Sequence, residues 1–216
     1  MSVLFMRHLA AAPMVVFLLA LIALPAVAAA PDGAGQPATA QQLIQAVKGG
    51  STVFRAEPSG AAVHIQSGMV CVPGAQQMRL SGLLVGPIGA IGDDVGCDYI
   101  VPDGKITVFA TRLGTRTLQA AAVDVARVIK LAFPDAKQIG GPMIASYPGL
   151  QTPIAGSWSF TSDGKPSITS VWLGRGGDWL IEVRATYPAG ERHDPELLAS
   201  VTLINAQMSI GKSANR

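Results

Sequence analysis

From Trp179 to Tyr187 the chain alternates without a break. Trp179, Ile181, Val183, Ala185 and Tyr187 fall on one side, and Leu180, Glu182, Arg184 and Thr186 on the other. A period of two is that of a half-buried β-strand. Two similar runs precede it. Ile154 to Thr161 places Ile154, Gly156, Trp158 and Phe160 on one face, and Ile168 to Leu173 follows. The breaks between them, Asp163-Gly164 and Arg175-Gly176-Gly177-Asp178, are turn sequences, so the three runs predict an antiparallel meander. The period lengthens elsewhere. Over Thr117 to Phe133, Leu118, Ala121, Ala122, Val125, Val128, Ile129 and Ala132 recur at three and four spacing, which is one face of an amphipathic helix stopped by Phe133-Pro134. After the meander, Asp194 as cap, Pro195 at the first position and Glu196 in the first turn start a last helix, with Leu197, Val201, Ile204 and Met208 as its expected buried stripe.

The N-terminal half is more broken. Thr39 to Gln42 matches a capping box ahead of Leu43, Ile44 and Val47, and Gly49-Gly50 ends that short helix. Short strands follow at Thr52 to Arg55, Ala62 to Ile65, Met69 to Val72 and Met78 to Val85. Then come a glycine-rich stretch from Gly82 to Gly96 and a hairpin of Cys97 to Val101 with Ile106 to Thr111. The predicted class is α+β: a mainly antiparallel twisted sheet with two main helices packed on it, plus a short N-terminal helix. The meander strand Gly177-Asp178-Trp179…Arg184-Ala185-Thr186-Tyr187-Pro188 and its following helix are similar in pattern to small exported α+β domains of the PsbP/Mog1 type. That resemblance implies a fold and carries no catalytic motif.

The first residues change the setting. Arg7 and His8, an apolar run from Leu9 to Leu24, and small residues ending in Ala26-Val27-Ala28 have the layout of a secretory signal peptide. The expected organisation is a signal peptide over residues 1–28, a flexible spacer over 29–38, one α+β domain over 39–210 and a disordered tail over 211–216. Export places the chain in the periplasm or outside the cell. There its two cysteines, Cys71 and Cys97, are expected to form a structural disulfide. No other segment is apolar enough to span a membrane, so no insertion is expected after cleavage. The formal net charge is +2 without basic runs, which gives no footprint for nucleic acid.

Candidate chemistry is sparse. Asp93, Asp94, Asp98 and Asp103 gather beside Cys97 and form the candidate ligand or ion loop, although their spacing does not match a calcium-binding loop. His64 and His193 stand in no metal-ligand pattern, so neither a metal nor a cofactor is expected, and His64, between Val63 and Ile65, reads as the outward face of a strand. Ser162-Asp163-Gly164-Lys165 sits in a hairpin turn and no nucleophile elbow exists. Trp172 beside Glu182 and Arg184 forms a candidate binding face. The expected function is therefore an exported, disulfide-bonded binding or accessory module of the cell envelope, whose partner is an envelope protein or a small ligand. The alternative is an exported hydrolase-like enzyme with a dispersed site around the Asp93–Asp103 loop and His64.

Overall fold

A reciprocal cap sets the first helix. Thr39 Oγ1 accepts the backbone N–H of Gln42 and the Gln42 side chain accepts that of Thr39, so α1 (Ala40–Ala46) begins where the capping box predicts. The computed structural model describes residues 38–75, 77–190 and 193–213. The expected signal peptide and nearly all of the spacer lie outside them.

A short helix, α2 (Gly50–Val53), leads into a three-stranded antiparallel sheet of β1 (Phe54–Ala56), β2 (Ala62–His64) and β3 (Val70–Cys71). The main sheet follows. Its strands are β4 (Gly74–Ala75), β5 (Met78–Val85), β6 (Asp94–Val101), β7 (Gly104–Arg112), β8 (Lys137–Ile139), β9 (Ile154–Ser162), β10 (Lys165–Gly176) and β11 (Trp179–Pro188). Between β7 and β8 lies α3 (Leu118–Ala132), and α4 (His193–Ser213) comes last. The spatial order is β4-β5-β6-β7-β11-β10-β9-β8 with every pairing antiparallel. The α+β class and the meander β9–β10–β11 are as expected. Asp163 (φ 51°) and Gly164 (φ 73°) both take left-handed geometry, the pair that a tight hairpin between right-twisted strands requires.

The two sheet faces carry different helices. One face presents Tyr99 of β6, Ile106 and Val108 of β7, Trp172 of β10 and Ile181 and Val183 of β11, and α4 packs across β7, β10 and β11. The other presents Trp158 and Phe160 of β9, Val171 and Leu173 of β10 and Leu180 of β11, where α3 inserts Leu118, Ala121, Val125 and Ile129. The α3 stripe is narrower than expected, because Val128 faces solvent.

Rotation of α4 departs from expectation. The buried stripe is Ala199, Leu203, Ala206 and Ile210, interspersed with Glu196, Ser200 and Gln207, while Leu197 and Val201 are about half exposed. The cause is polar. Glu196 is drawn under the helix to accept Tyr187 Oη at 2.7 Å, Ser170 Oγ at 3.3 Å and the Met143 amide at 3.0 Å. That anchor turns the first turn of the helix. The helix also continues to Ser213, so residues 211–213 are not part of a disordered tail.

The same carboxylate ties down the connection from β8 to β9, residues 140–153. Its Met143 carbonyl accepts Trp172 Nε1 at 2.8 Å and Ser200 Oγ at 3.1 Å. Replacing Glu196 by Ala removes the acceptor of the Met143 amide and of Tyr187 Oη, while Tyr187 and Ser170 keep each other, and is expected to cost about 2 kcal/mol. Limited chymotryptic digestion should then cut first at Tyr147, which is half exposed on that connection. Cleavage at an unchanged rate would show that the connection is held by other contacts.

The sulfurs of Cys71 and Cys97 are joined, fastening β3 of the small sheet to β6 of the large one across 26 residues of sequence. Both cysteines are fully buried in the core.

Candidate functional site

The acidic run around Cys97 lies in a strand, and alternation along that strand decides where its carboxylates point. The glycine-rich connection is shorter than expected, because β6 begins at Asp94 rather than Cys97, while β5 ends at Val85 as expected. On β6, Asp94, Gly96 and Asp98 share one face, while Val95, Cys97 and Tyr99 point into the core. Strand register then lines up rows across the sheet. Asp94 stands beside Thr111 of β7 and then Leu180 of β11. The next row reads Leu84, Gly96, Phe109, Glu182, and the third Asp98, Thr107, Arg184. Neighbours in a row are about 5 Å apart. The face that α3 covers at β9 and β10 therefore continues over β11, β7 and β6 as a polar surface.

At its centre Phe109 lies against Gly96. A Cβ on Gly96 would come within 3.1 Å of the ring and 2.9 Å of the Val108 carbonyl, so only glycine leaves room for the ring to lie across the strand. Arg184 sits over the same ring at 5.9 Å and pairs with Glu182 at 2.5 Å. Thr107 donates to Asp98 at 2.7 Å, Lys105 pairs with the other Asp98 oxygen at 2.8 Å, and Thr111 donates to Asp94 at 2.7 Å. Asp94, Thr107, Thr111 and Glu182 each keep less than a tenth of their surface exposed. Burial raises the Asp94 pKa above the ordinary carboxylate value, opposed by the Thr111 hydrogen bond and the Arg116 charge. The arrangement is an aromatic platform with Leu84 beside it, ringed by hydroxyls and carboxylates whose charges are matched locally.

Four of the residues singled out in the sequence, Asp94, Asp98, Glu182 and Arg184, are thus brought to one face. The others are not. Asp93, one residue before Asp94, points the other way and pairs with Arg112 at 2.6 Å. That bond and the Ala90 amide hold its pKa below the usual value. Asp103 lies in the turn between β6 and β7, at the far end of the strand from Asp93. Among the described residues no three His, Cys, Asp or Glu side chains gather closely enough to hold an ion, so the ion loop is corrected to two strand carboxylates, a capping Asp93 and a turn Asp103. Trp172 is a second correction. Its cross-strand partner is Val183, so it belongs to the opposite face from Glu182 and Arg184, and it is fully buried there beneath α4.

His64 is a third correction, being fully buried rather than outward. Its Nδ1 accepts the Ser67 amide at 3.2 Å, with Ser67 Oγ 2.8 Å away, closing the turn after β2. The neutral ring therefore carries its hydrogen on Nε2, which meets no acceptor at hydrogen-bonding geometry. Burial, then the Arg112 charge, lower its pKa to about 4, against weaker upward pulls from the Gly92 carbonyl and Asp93. Among the described residues no aspartate hydrogen-bonds to it. The ring packs between Phe54 at 5.6 Å and Trp179 at 5.3 Å, and the Arg112 guanidinium lies 4.5 Å over Trp179.

Phe109, Thr107 and Thr111 were not singled out from sequence, although Lys105-Ile106-Thr107-Val108-Phe109-Ala110-Thr111 alternates visibly. Alternation assigns a face to each residue. Which strands lie side by side it leaves open, and β7 finds β11 only after α3, β8, β9 and β10 have intervened.

No family model and no curated protein matches this chain. Among solved structures, a protein of Bacteroides thetaiotaomicron is 15% identical over 58% of this chain and 42% of its own, with a TM-score of 0.29. This chain therefore spans less than half of that protein. LpqN of Mycobacterium tuberculosis, involved in cell envelope biogenesis, is 13% identical over 82% of this chain and 96% of its own, with a TM-score of 0.28. DynU16, from the dynemicin biosynthetic locus, is 10% identical at a TM-score of 0.16. At such scores the likenesses carry no argument about function.

Proposed function

We propose that this chain is an exported binding module of the cell envelope, acting by recognition rather than catalysis, and that β6, β7 and β11 hold a neutral, hydroxyl-rich ligand of the saccharide type. One observation carries the reading: Phe109 lies against Gly96 at the centre of this face, with Asp98, Thr107, Glu182 and Arg184 around it. An aromatic ring offers an apolar surface of fixed geometry. The partly exposed Asp98, Lys105 and Arg184 offer acceptors and donors around it that hydroxyl groups can meet, with Thr107, Thr111 and Glu182 buried behind them. Because Asp98 is matched by Lys105 and Glu182 by Arg184, a charged ligand gains little there. The leader-like first 28 residues and the buried disulfide support export.

The test is a titration of the folded domain with neutral disaccharides, followed by amide chemical shifts. Shifts are expected at Gly96, Asp98, Phe109 and Glu182, and Phe109→Ala is expected to weaken binding at least tenfold with the fold intact, since the ring is on the half-exposed face. Absence of shifts at high millimolar sugar, or shifts confined to other strands, would refute this reading.

A further inference from the structure

At the end of the sheet where β7 stops and the β10–β11 hairpin turns, on the face opposite the platform, lies a cavity of about 260 Å³. Gln66, Ser67, Arg112, Asp178, Trp179 and Ile210 line it. We propose that it is a second site, independent of the sheet face, that binds a small zwitterion of the α-amino-acid type.

Three features of the cavity carry the proposal. The first is a guanidinium set in place before any ligand arrives. Arg112 is stacked on its cross-strand neighbour Trp179, its Nε bonds Asp93 Oδ1 at 2.6 Å and its Nη2 bonds Gln66 Oε1 at 2.8 Å. Among the described residues nothing bonds Nη1. An arginine fixed in this way loses little further freedom when its remaining donors take a carboxylate, and its planar fork matches that group. Asp93 is the positioning residue: its second oxygen is occupied by the Ala90 amide at 2.9 Å, so it steers Arg112 rather than the ligand.

The second is an opposite charge at the rim. Asp178 follows Gly177 in the hairpin turn, its backbone carbonyl accepts the Leu113 amide at 2.8 Å, and it therefore stands next to Arg112. Its side chain is 84% exposed, with Arg175 no nearer than 4.0 Å. A cation and an anion on adjoining strand ends make a dipole. A dianion would meet repulsion from Asp93 and Asp178, and a lone cation repulsion from Arg112, whereas a zwitterion satisfies both ends. The third is an apolar floor: Trp179 and Ile210 close the bottom of the cavity with only 5% and 1% of their surfaces exposed, so the charged groups rather than apolar contact carry recognition.

The experiment is calorimetric titration of the full chain with leucine, N-acetyl-leucine and leucinamide, with tryptophan fluorescence as a second readout. Leucine is expected to bind, and the acetyl and amide derivatives, each lacking one charge, to bind at least tenfold more weakly. Arg112→Gln should abolish leucine binding. Because Arg112 also braces the loop at Asp93, the deciding variant is Asp178→Asn, at an exposed turn. It should leave the melting temperature unchanged, weaken leucine about tenfold and leave N-acetyl-leucine unaffected. Failure of leucine to bind at 20 mM, about ten times a weak millimolar dissociation constant, overturns the proposal. So does equal binding of all three compounds, or indifference of leucine to Asp178→Asn. None of these results bears on disaccharide binding at Phe109.

Discussion

Reduction of the Cys71–Cys97 bridge is expected to lower the free energy of unfolding by about 3.5 kcal/mol, the chain-entropy value for a loop of this length. Its 26-residue span includes β4 and β5, and its two ends belong to different sheets. The small sheet β1–β2–β3 gains little from its own area, since a three-stranded unit of strands two or three residues long is marginal alone. Breaking the bridge should therefore loosen β1–β3 first. Urea melts of the oxidised protein and of a Cys71→Ala/Cys97→Ala double variant give the total, and hydrogen exchange gives its distribution. For a domain of this size the thermal midpoint should fall by about 10 °C, with the amides of Phe54, His64 and Ile65 losing protection ahead of those in β10 and β11. Coincident melts would mean that packing, rather than the crosslink, holds the two sheets together.

Acid should destabilise the fold through His64. Its folded pKa of about 4 lies below the unfolded value of 6.5. Between those two values the unfolded chain binds a proton that the native state refuses, so stability falls as pH drops through the window and levels off once both states are protonated. The full difference amounts to about 3 kcal/mol. Near neutral pH the ring is uncharged and the contribution is fully present. Asp94, whose pKa is raised, works in the opposite sense, because the native state holds its proton more tightly. Its window begins at 3.8, so it overlaps the lower part of the His64 range and should soften the loss there. The depressed Asp93 adds to the loss only below 3.8. Unfolding free energies at pH 7, 5.5 and 4.5 should decline in the native protein and stay nearly level in His64→Phe, which keeps a ring between Phe54 and Trp179. An identical decline in that variant would assign the acid sensitivity to carboxylates.

The sequence made the strands and helices legible wherever one period dominates. The β9–β10–β11 meander, the cap of α1 and the span of α3 follow from alternation, turn residues and a capping pair. Rotation of α4 was not legible, because Leu197 and Val201 outweigh Ala199 and Ser200 in any apolar count, yet Glu196 turns the helix by its bonds to Tyr187, Ser170 and Met143. Trp172 was misplaced for a related reason. Val171, Trp172 and Leu173 form a run with no alternation, since β10 is buried on both faces under α3 and α4, and such a run assigns no side. The acidic cluster failed as a cluster because adjacent strand residues diverge: Asp93 leads toward Arg112 and Asp94 toward Thr111. What the two candidate sites share is dependence on register, a long-range property that local pattern leaves open.

The margins of the main sheet also bear on association between copies of the chain. Its outermost strands are Gly74–Ala75 on one side and Lys137–Ile139 on the other, two and three residues long. β4 covers only Met78 and Arg79 of β5, and β8 only Ser157 to Ser159 of β9, so the pairing template left to an incoming chain is confined to short stretches beyond them. Templated fibre growth is thereby disfavoured, and concentrated samples should remain dispersed over weeks.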